Sequence, residues 1–235
     1  MPYLCRMETT HIALEGRSIP LHIRRHCRAR RISLKLSAAR DGIILTLPPR
    51  APVEAGMKFF RSKMGWVLAN IETDQNVTFA EGAVLPVLGT PVTVRCLLGR
   101  GLSEIADGEL RVYCKPEFAA RRVRDFLKKL LQAACLERAQ QAAVKLGKSV
   151  RGVTIRDTRS RWGSCSARGE LTFHWQLIFA PTEILDYLIA HETAHLKEMN
   201  HSDRFWQIVA QLDPSYKHAR QWLKREGHRL HRYGK

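Results

Sequence analysis

Acidic residues are scarce in this chain: 22 Asp and Glu stand against 39 Lys and Arg, a net charge of +17 over 235 residues. Between Arg17 and Arg40 there are eight Lys or Arg and no acid, and Lys115–Arg168 forms a second basic stretch. Such a balance favours polyanions: nucleic acid, an anionic membrane or phosphorylated substrates. The same charges serve equally as a solvated surface that keeps the chain dispersed. Long apolar runs are missing too. Nothing approaches the ~18–20 residues that a helix needs to cross a bilayer. The segment Met1–Leu14 carries Arg6, Glu8 and His11 where a signal peptide would be apolar. The expectation is a soluble, cytoplasmic protein without a membrane partner. Cys5, Cys27, Cys96, Cys114, Cys135 and Cys165 form no CxxC pair, which argues against a cysteine-based zinc knuckle. Free, mostly buried thiols are expected.

What is present divides into two halves. Ile19–Ile23 and Ile32–Leu36 alternate apolar with basic residues, the period of half-buried strands. Ile43–Leu47 follows and is stopped by Pro48-Pro49. Val53, Met57, Phe60, Met64, Val67 and Leu68 recur at helical spacing, predicting one amphipathic helix over Pro52–Ile71. Val84–Leu88, Val92–Leu98 and Glu109–Tyr113 read as short strands between glycines. Pro116–Leu146 is a long amphipathic helix stopped by Gly147. Val153–Arg156 and Glu170–Leu177 read as strands. A helix opens at Pro181 and runs through His195, another follows Ser202, and a last one begins around Tyr216. The fold class is α+β: a strand-rich N-terminal half with one inserted helix over residues 1–115, and a helical C-terminal domain over residues 116–235.

The strongest chemical signal is His191-Glu192-Thr193-Ala194-His195. Residues four apart on a helix share a face, with Cβ atoms ~5–6 Å apart. Two imidazoles so placed bind one zinc at ~2.0–2.1 Å each. Glu192 lies one step round the helix, beside the metal, where it can take a proton from a metal-bound water. A catalytic zinc needs a third protein ligand and an open position. His201, six residues beyond His195, supplies it, and chance alone gives the three histidines together with Glu192 at this spacing in roughly one such chain in a thousand. Three surface histidines on a polar face would be the alternative, but Ile184, Leu185, Leu188 and Ile189 mark the helix as buried. Asn200 is expected to end the helix in the left-handed conformation, and Ser202 to cap the next one. Glu226, on a later helix, is the rival third ligand. The spacing is also that of metzincins, but Glu198 stands where they have glycine and no methionine follows Met199.

These residues carry a resemblance. Arg161-Trp162-Gly163-Ser164-Cys165-Ser166, Gly169, Pro181, the His191–Leu196 run, Asn200-His201-Ser202 and Phe205-Trp206 resemble, in order and spacing, the YgjP-like metal-dependent hydrolases. Tyr216 and Trp222-Leu223 extend the match, as do the N-terminal strands and Met64-Gly65-Trp66. The resemblance implies a zincin-like catalytic domain related to the SprT-like and WLM peptidases. It implies that His191, His195 and His201 bind one zinc ion per chain and that Glu192 is catalytic. The sequence departs from the pattern at Thr193, where a small or leucine-type residue is commoner, and at His174, where Asn is expected.

Around this constellation the assignments stay open. Leu171–Leu177 is a candidate edge strand that would receive an extended peptide, or a plain hairpin strand. Cys165 is a small core thiol or a metal contact. Trp162, Trp206 and Trp222 are expected to pack, and Arg159 and Arg161 are surface charges or anion contacts. Tyr187, Tyr216, His218 and Arg220 are the candidates for stabilising an oxyanion. The motif favours a zinc metallopeptidase acting on protein or peptide substrates. The charge favours a hydrolase of phosphate esters or nucleotides, or a peptidase recruited to DNA or another polyanion. A nucleic-acid-binding module with a structural zinc fits worst, since such sites are closed and cysteine-rich.

Overall fold

The computed structural model describes residues 7–14, 17–37, 42–71, 76–158 and 161–234. The chain divides between residues 75 and 76 into two compact units. In the first, period-two patterning builds β1 (Met7–Leu14), β2 (Arg17–Arg25), β3 (Ser33–Leu36) and β4 (Ile43–Leu47). They form one sheet in the order β1-β2-β4-β3, with β2 parallel to β4 and the other pairs antiparallel. Leu21, Ile43, Leu45 and Leu47 are fully buried on one face, under α1 (Val53–Ser62). Helix and sheet approach closely at Gly56, where a Cβ would stand 2.6 Å from the Leu47 side chain. The single helix expected over Pro52–Ile71 is two: it breaks at Lys63 (φ −108°, ψ 11°), and α2 (Met64–Asn70) follows. Gly65, a poor helix former, lies two residues past the break.

The second unit holds the sheet β5-β6-β8-β7, built from β5 (Val84–Val87), β6 (Thr90–Leu97), β7 (Glu104–Ala106) and β8 (Glu109–Tyr113). A second sheet has the order β10-β11-β9, from β9 (Gly152–Arg156), β10 (Gly163–Cys165) and β11 (Glu170–His174). Its helices are α3 (Ala119–Lys145), α4 (Thr182–Ala194), α5 (Asp203–Leu212) and α6 (Tyr216–Glu226). The boundary expected at residue 115 therefore falls inside this unit. Its cause is the shared core: Leu85, Val94 and Leu110 of the β5-β6-β8-β7 sheet join one cluster with Val123, Leu127 and Leu131 of α3.

The buried residues of α3 recur every fourth position: Ala119, Val123, Leu127, Leu131, Cys135, Ala139 and Ala143. Four residues overshoot a 3.6-residue turn by ~40°, so this stripe winds around the helix and meets successive partners. Arg124 donates to Gly234 O at 2.6 Å, Gln132 to Val153 O of β9 at 2.8 Å, and Arg138 to Asp186 of α4 at 2.6 Å. Gly147 ends this segment with φ 65°, as its sequence position requires. Among the described residues no helix is long and apolar enough to cross a membrane. Five of the cysteines are free, but only Cys135 is buried; Cys27 is exposed and Cys96, Cys114 and Cys165 are half-buried, while Cys5 lies outside the described residues.

The strand expected over Glu170–Leu177 stops at His174, and Trp175–Phe179 form a fully buried 3-10 turn. His174 is buried at the hinge between them. Its Nδ1 accepts from the Gln176 N–H at 3.1 Å and its Nε2 faces Asp157 Oδ1 at 3.4 Å. Trp162 and His231 pack on the ring, with centroids at 5.1 and 5.2 Å. Burial holds the imidazole below its ordinary value of 6.5, against Asp157 and the Thr158 backbone, while Lys128 adds to the lowering. A native value below the unfolded one means stability that is complete above about pH 6.5 and is lost as pH falls through the native value. In urea unfolding across that window, His174→Asn is expected to flatten the pH dependence by up to ~1.4 kcal/mol per pH unit. Equal slopes for variant and wild type would remove His174 from the acid transition.

Candidate metal centre

The site grows from the last turn of α4. Ile184, Leu185, Leu188 and Ile189 are buried and fix that helix in the core. One turn apart at its end stand His191 and His195, with ring centroids 5.2 Å apart and planes at 86°. The helix ends at Ala194, not near Asn200, and the chain turns through bonds from Leu196 N to Thr193 O and from Lys197 N to Ala194 O, each 3.0 Å. Among the described non-glycine residues only Leu88 and Asp107 have positive φ, so Asn200 does not make the expected left-handed stop. Ser202 does cap α5 as expected, its hydroxyl accepting from Phe205 N at 3.4 Å. That turn returns His201 to α4, where its Nε2 lies 3.1 Å from His191 Nε2.

One nitrogen from each of His191, His195 and His201 falls within 4.8 Å of the others. Nitrogens bound to a single tetrahedral zinc at ~2.0–2.1 Å stand ~3.3 Å apart, so the triad fits one ion with small adjustment. Two ring nitrogens 3.1 Å apart need a proton or a cation between them. Burial, with the neighbouring His195, His201 and Arg220, pushes the His191 imidazole down to about 4. Burial lowers His195 as well, opposed by the Glu198 carbonyl. Both are then neutral at pH 7, the form in which an imidazole ligates. His195 Nδ1 lies 3.0 Å from Glu198 O, which leaves Nε2 for the metal. His191 Nδ1 is buried with no hydrogen-bond partner among the described residues. Phe205, fully buried, floors the site, with its ring 4.9, 4.5 and 4.7 Å from those of His191, His195 and His201. Its apolar face excludes water from beneath the triad; in the sequence it stands out only as half of the Phe205-Trp206 pair that carries the resemblance.

Glu192 turns to the other side of the helix end and is 4% exposed. Burial pushes its carboxyl up to about 8, opposed by Arg161. A cation at the triad would draw it back toward the ionised form. The carboxyl faces β10: a Cβ on Gly163 would stand 2.5 Å from Glu192 Oε1 and 2.8 Å from its Cγ, so only glycine fits. The strand expected to receive substrate, Leu171–Leu177, is not an edge, because β11 is paired on both sides. The edge beside the metal helix is β10. His174 N donates to Trp162 O at 2.8 Å and Ser166 N to Glu170 O at 2.9 Å. In an antiparallel pair alternate residues bond inward, so Gly163 and Cys165 turn their N–H and C=O groups away from β11.

The remaining candidates separate. Glu226 pairs with Arg225 at 2.6 Å and Arg229 at 3.1 Å and is not in the ligand group. Cys165 is outside it too; burial, with Glu192 nearby, pushes its thiol up to about 11, and its Sγ lies 3.4 Å from Ser166 O. Trp162, Trp206 and Trp222 pack against the core as expected. Trp206 also stacks on Tyr216 at 5.6 Å and carries the Arg220 guanidinium 4.6 Å above its ring. Tyr187 is 4% exposed, its ring 5.9 Å from that of His191. His218 lies exposed on α6, and Arg159 falls outside the described residues.

Residues 30–226 match the YgjP-like metallopeptidase domain. A protein of Escherichia coli (strain K12) named UTP pyrophosphatase is 30% identical over 69 residues, which cover 29% of this chain and 41% of that protein. The chain thus spans about two fifths of the length of this curated relative. No solved structure gives a significant match. The family match runs through β10, the HExxH turn of α4 and the α5 cap that returns the third histidine, and by it the chain belongs to the YgjP-like family of metallopeptidase domains, a family of metal-dependent hydrolases.

Proposed function

We propose that this chain hydrolyses peptide bonds, with His191, His195 and His201 holding one zinc ion and Glu192 acting as general base. The observation that carries the reading is the outward-facing backbone of Gly163 and Cys165 on an edge strand packed against Glu192. An extended peptide adds to such an edge through main-chain hydrogen bonds, which brings its carbonyl past the carboxylate. A bound zinc supplies Lewis acidity toward the carbonyl and the attacking water. Glu192 accepts the proton of that water and returns it to the leaving amine. Its burial and the Phe205 floor keep bulk water away from the transfer. Arg220, whose charge reaches His191 from its seat on Trp206, is the group assigned to steady the developing oxyanion.

A second reading is hydrolysis of a nucleoside triphosphate. The name of the relative favours it, as do Arg161 and Arg220, whose fields reach Glu192 and His191 and would suit a phosphoanhydride. One panel separates the two. Zinc-loaded protein is given unfolded casein and, separately, UTP, with Glu192→Gln as the background. Casein cleavage that falls roughly 10–100-fold in Gly163→Ala, which forces the carboxylate aside, is expected. Turnover of UTP without casein cleavage would replace the peptide reading by the nucleotide one, and turnover of neither would overturn both.

A further inference from the structure

The first unit carries a charged end that hydrolysis does not use. Because β2 runs parallel to β4, with Arg25 opposite Leu47, both strands finish at the same end of the sheet. The turns that follow them are tied together. His26 N donates to Leu47 O at 3.0 Å. The Arg25 guanidinium donates to Pro48 O, Pro49 O and Ala51 O at 3.3, 3.0 and 2.6 Å. Arg25 is therefore committed as a clamp. Arg24 is half-committed, its Nε donating to Thr46 Oγ1 at 3.0 Å.

On the joined turns stand Arg28, Arg30, Arg31 and Arg50, all exposed. Among the described residues none of these four side chains has an ion pair or hydrogen bond. No acid occurs from residue 17 to 37 or from 42 to 53. Acids flank this end, Glu8 opposite Ile23 on β1 and Glu54 in the first turn of α1, but among the described residues neither pairs with the four guanidiniums, whose like charges repel one another. All four are arginine, whose planar fork grips phosphate oxygens in pairs. Ser33 lies at the same end, paired across β3 and β4 with Thr46, which is buried and holds Arg24. None of the exposed large apolar side chains among the described residues falls between residues 17 and 53, so nothing there would enter a bilayer.

We infer that this two-turn arginine end binds the phosphate backbone of nucleic acid without reading its bases. Duplex and single strand share the chemistry and differ in the salt dependence they produce. Four phosphate contacts give a log–log slope of about −3.6 on duplex DNA and about −2.8 on a single strand. Duplex affinity then falls on the order of a hundredfold between ~50 and ~200 mM salt.

The test is fluorescence anisotropy of the full chain with labelled duplex and single-stranded DNA across a salt series. The patch variant is Arg28→Ser, Arg30→Ser, Arg31→Ser and Arg50→Ser together. A matched control removes the same charge from exposed Lys115, Arg122, Lys129 and Lys148 of the other unit. The patch variant is expected to lose the slope and at least ~10-fold in low-salt affinity, with the control close to wild type. Absence of binding at low salt, equal loss in patch variant and control, or binding to phosphatidylserine vesicles and not to DNA would each overturn the inference. None of these outcomes depends on the hydrolytic reading.

Discussion

Replacing Glu192 by Gln is expected to leave metal content at the wild-type level and to lower turnover ~10²–10⁴-fold. Gln keeps the shape that packs against Gly163 and resembles the neutral carboxyl that burial favours, with the group pushed up to about 8. The fold is therefore undisturbed at neutral pH. On the proposed mechanism, what disappears is the acceptor for the proton of the attacking water. Glu192 is outside the ligand group formed by the three histidines, so the metal is not released. Elemental analysis beside turnover of whichever substrate the wild type cleaves reads both quantities. A Gln variant of undiminished activity would remove Glu192 from the mechanism.

The second large effect belongs to His201. His201→Ala takes away one of three candidate ligands, and metal affinity is expected to fall by more than ~100-fold. Changes outside the ligand shell alone cost ~10–100-fold, and a ligand contributes more than its supports do. Glu226→Ala is expected to leave the affinity unchanged, because that carboxylate pairs with Arg225 and Arg229. Zinc competition against a chromophoric chelator measures both variants. Retention in His201→Ala together with loss in Glu226→Ala would reverse the assignment.

The helix of the site was legible because one pattern carried two messages: apolar positions at helical spacing bury α4, and the histidines one turn apart share its half-buried end. Ser202 announced the next helix through an elementary capping preference. The neighbouring strand was not legible. Gly163-Ser164-Cys165 is too short to alternate, and pairing with β11 alone makes it a strand. Beyond His174 the apolar run to Phe179 resembles a strand, yet all five of its residues are buried, and side chains do not alternate there between core and surface. The arginine end was half visible. Arg28, Arg30 and Arg31 are neighbours in sequence, but Arg50 joins them only through the parallel pairing of β2 with β4. In the same way nothing local links Leu110 to Leu127, and the domain boundary moved because their shared core outweighs the change of secondary structure near residue 115.

All three candidate ligands fall between residues 191 and 201, a closeness that bears on how the ion and the fold depend on each other. A centre assembled from distant strands exists only in the folded chain, so its ion adds nearly its whole binding free energy to stability. Here the three imidazoles stay tethered by a short segment when the rest of the domain melts, and closing so small a loop costs little entropy. The unfolded chain therefore competes for the ion, and stabilisation is set by the difference between the two affinities and not by the native one alone. Most of the 160 residues of the second unit would then contribute less to capturing a metal than to shaping what stands around the triad: the Phe205 floor, the seat of Arg220, and the strand edge that faces Glu192.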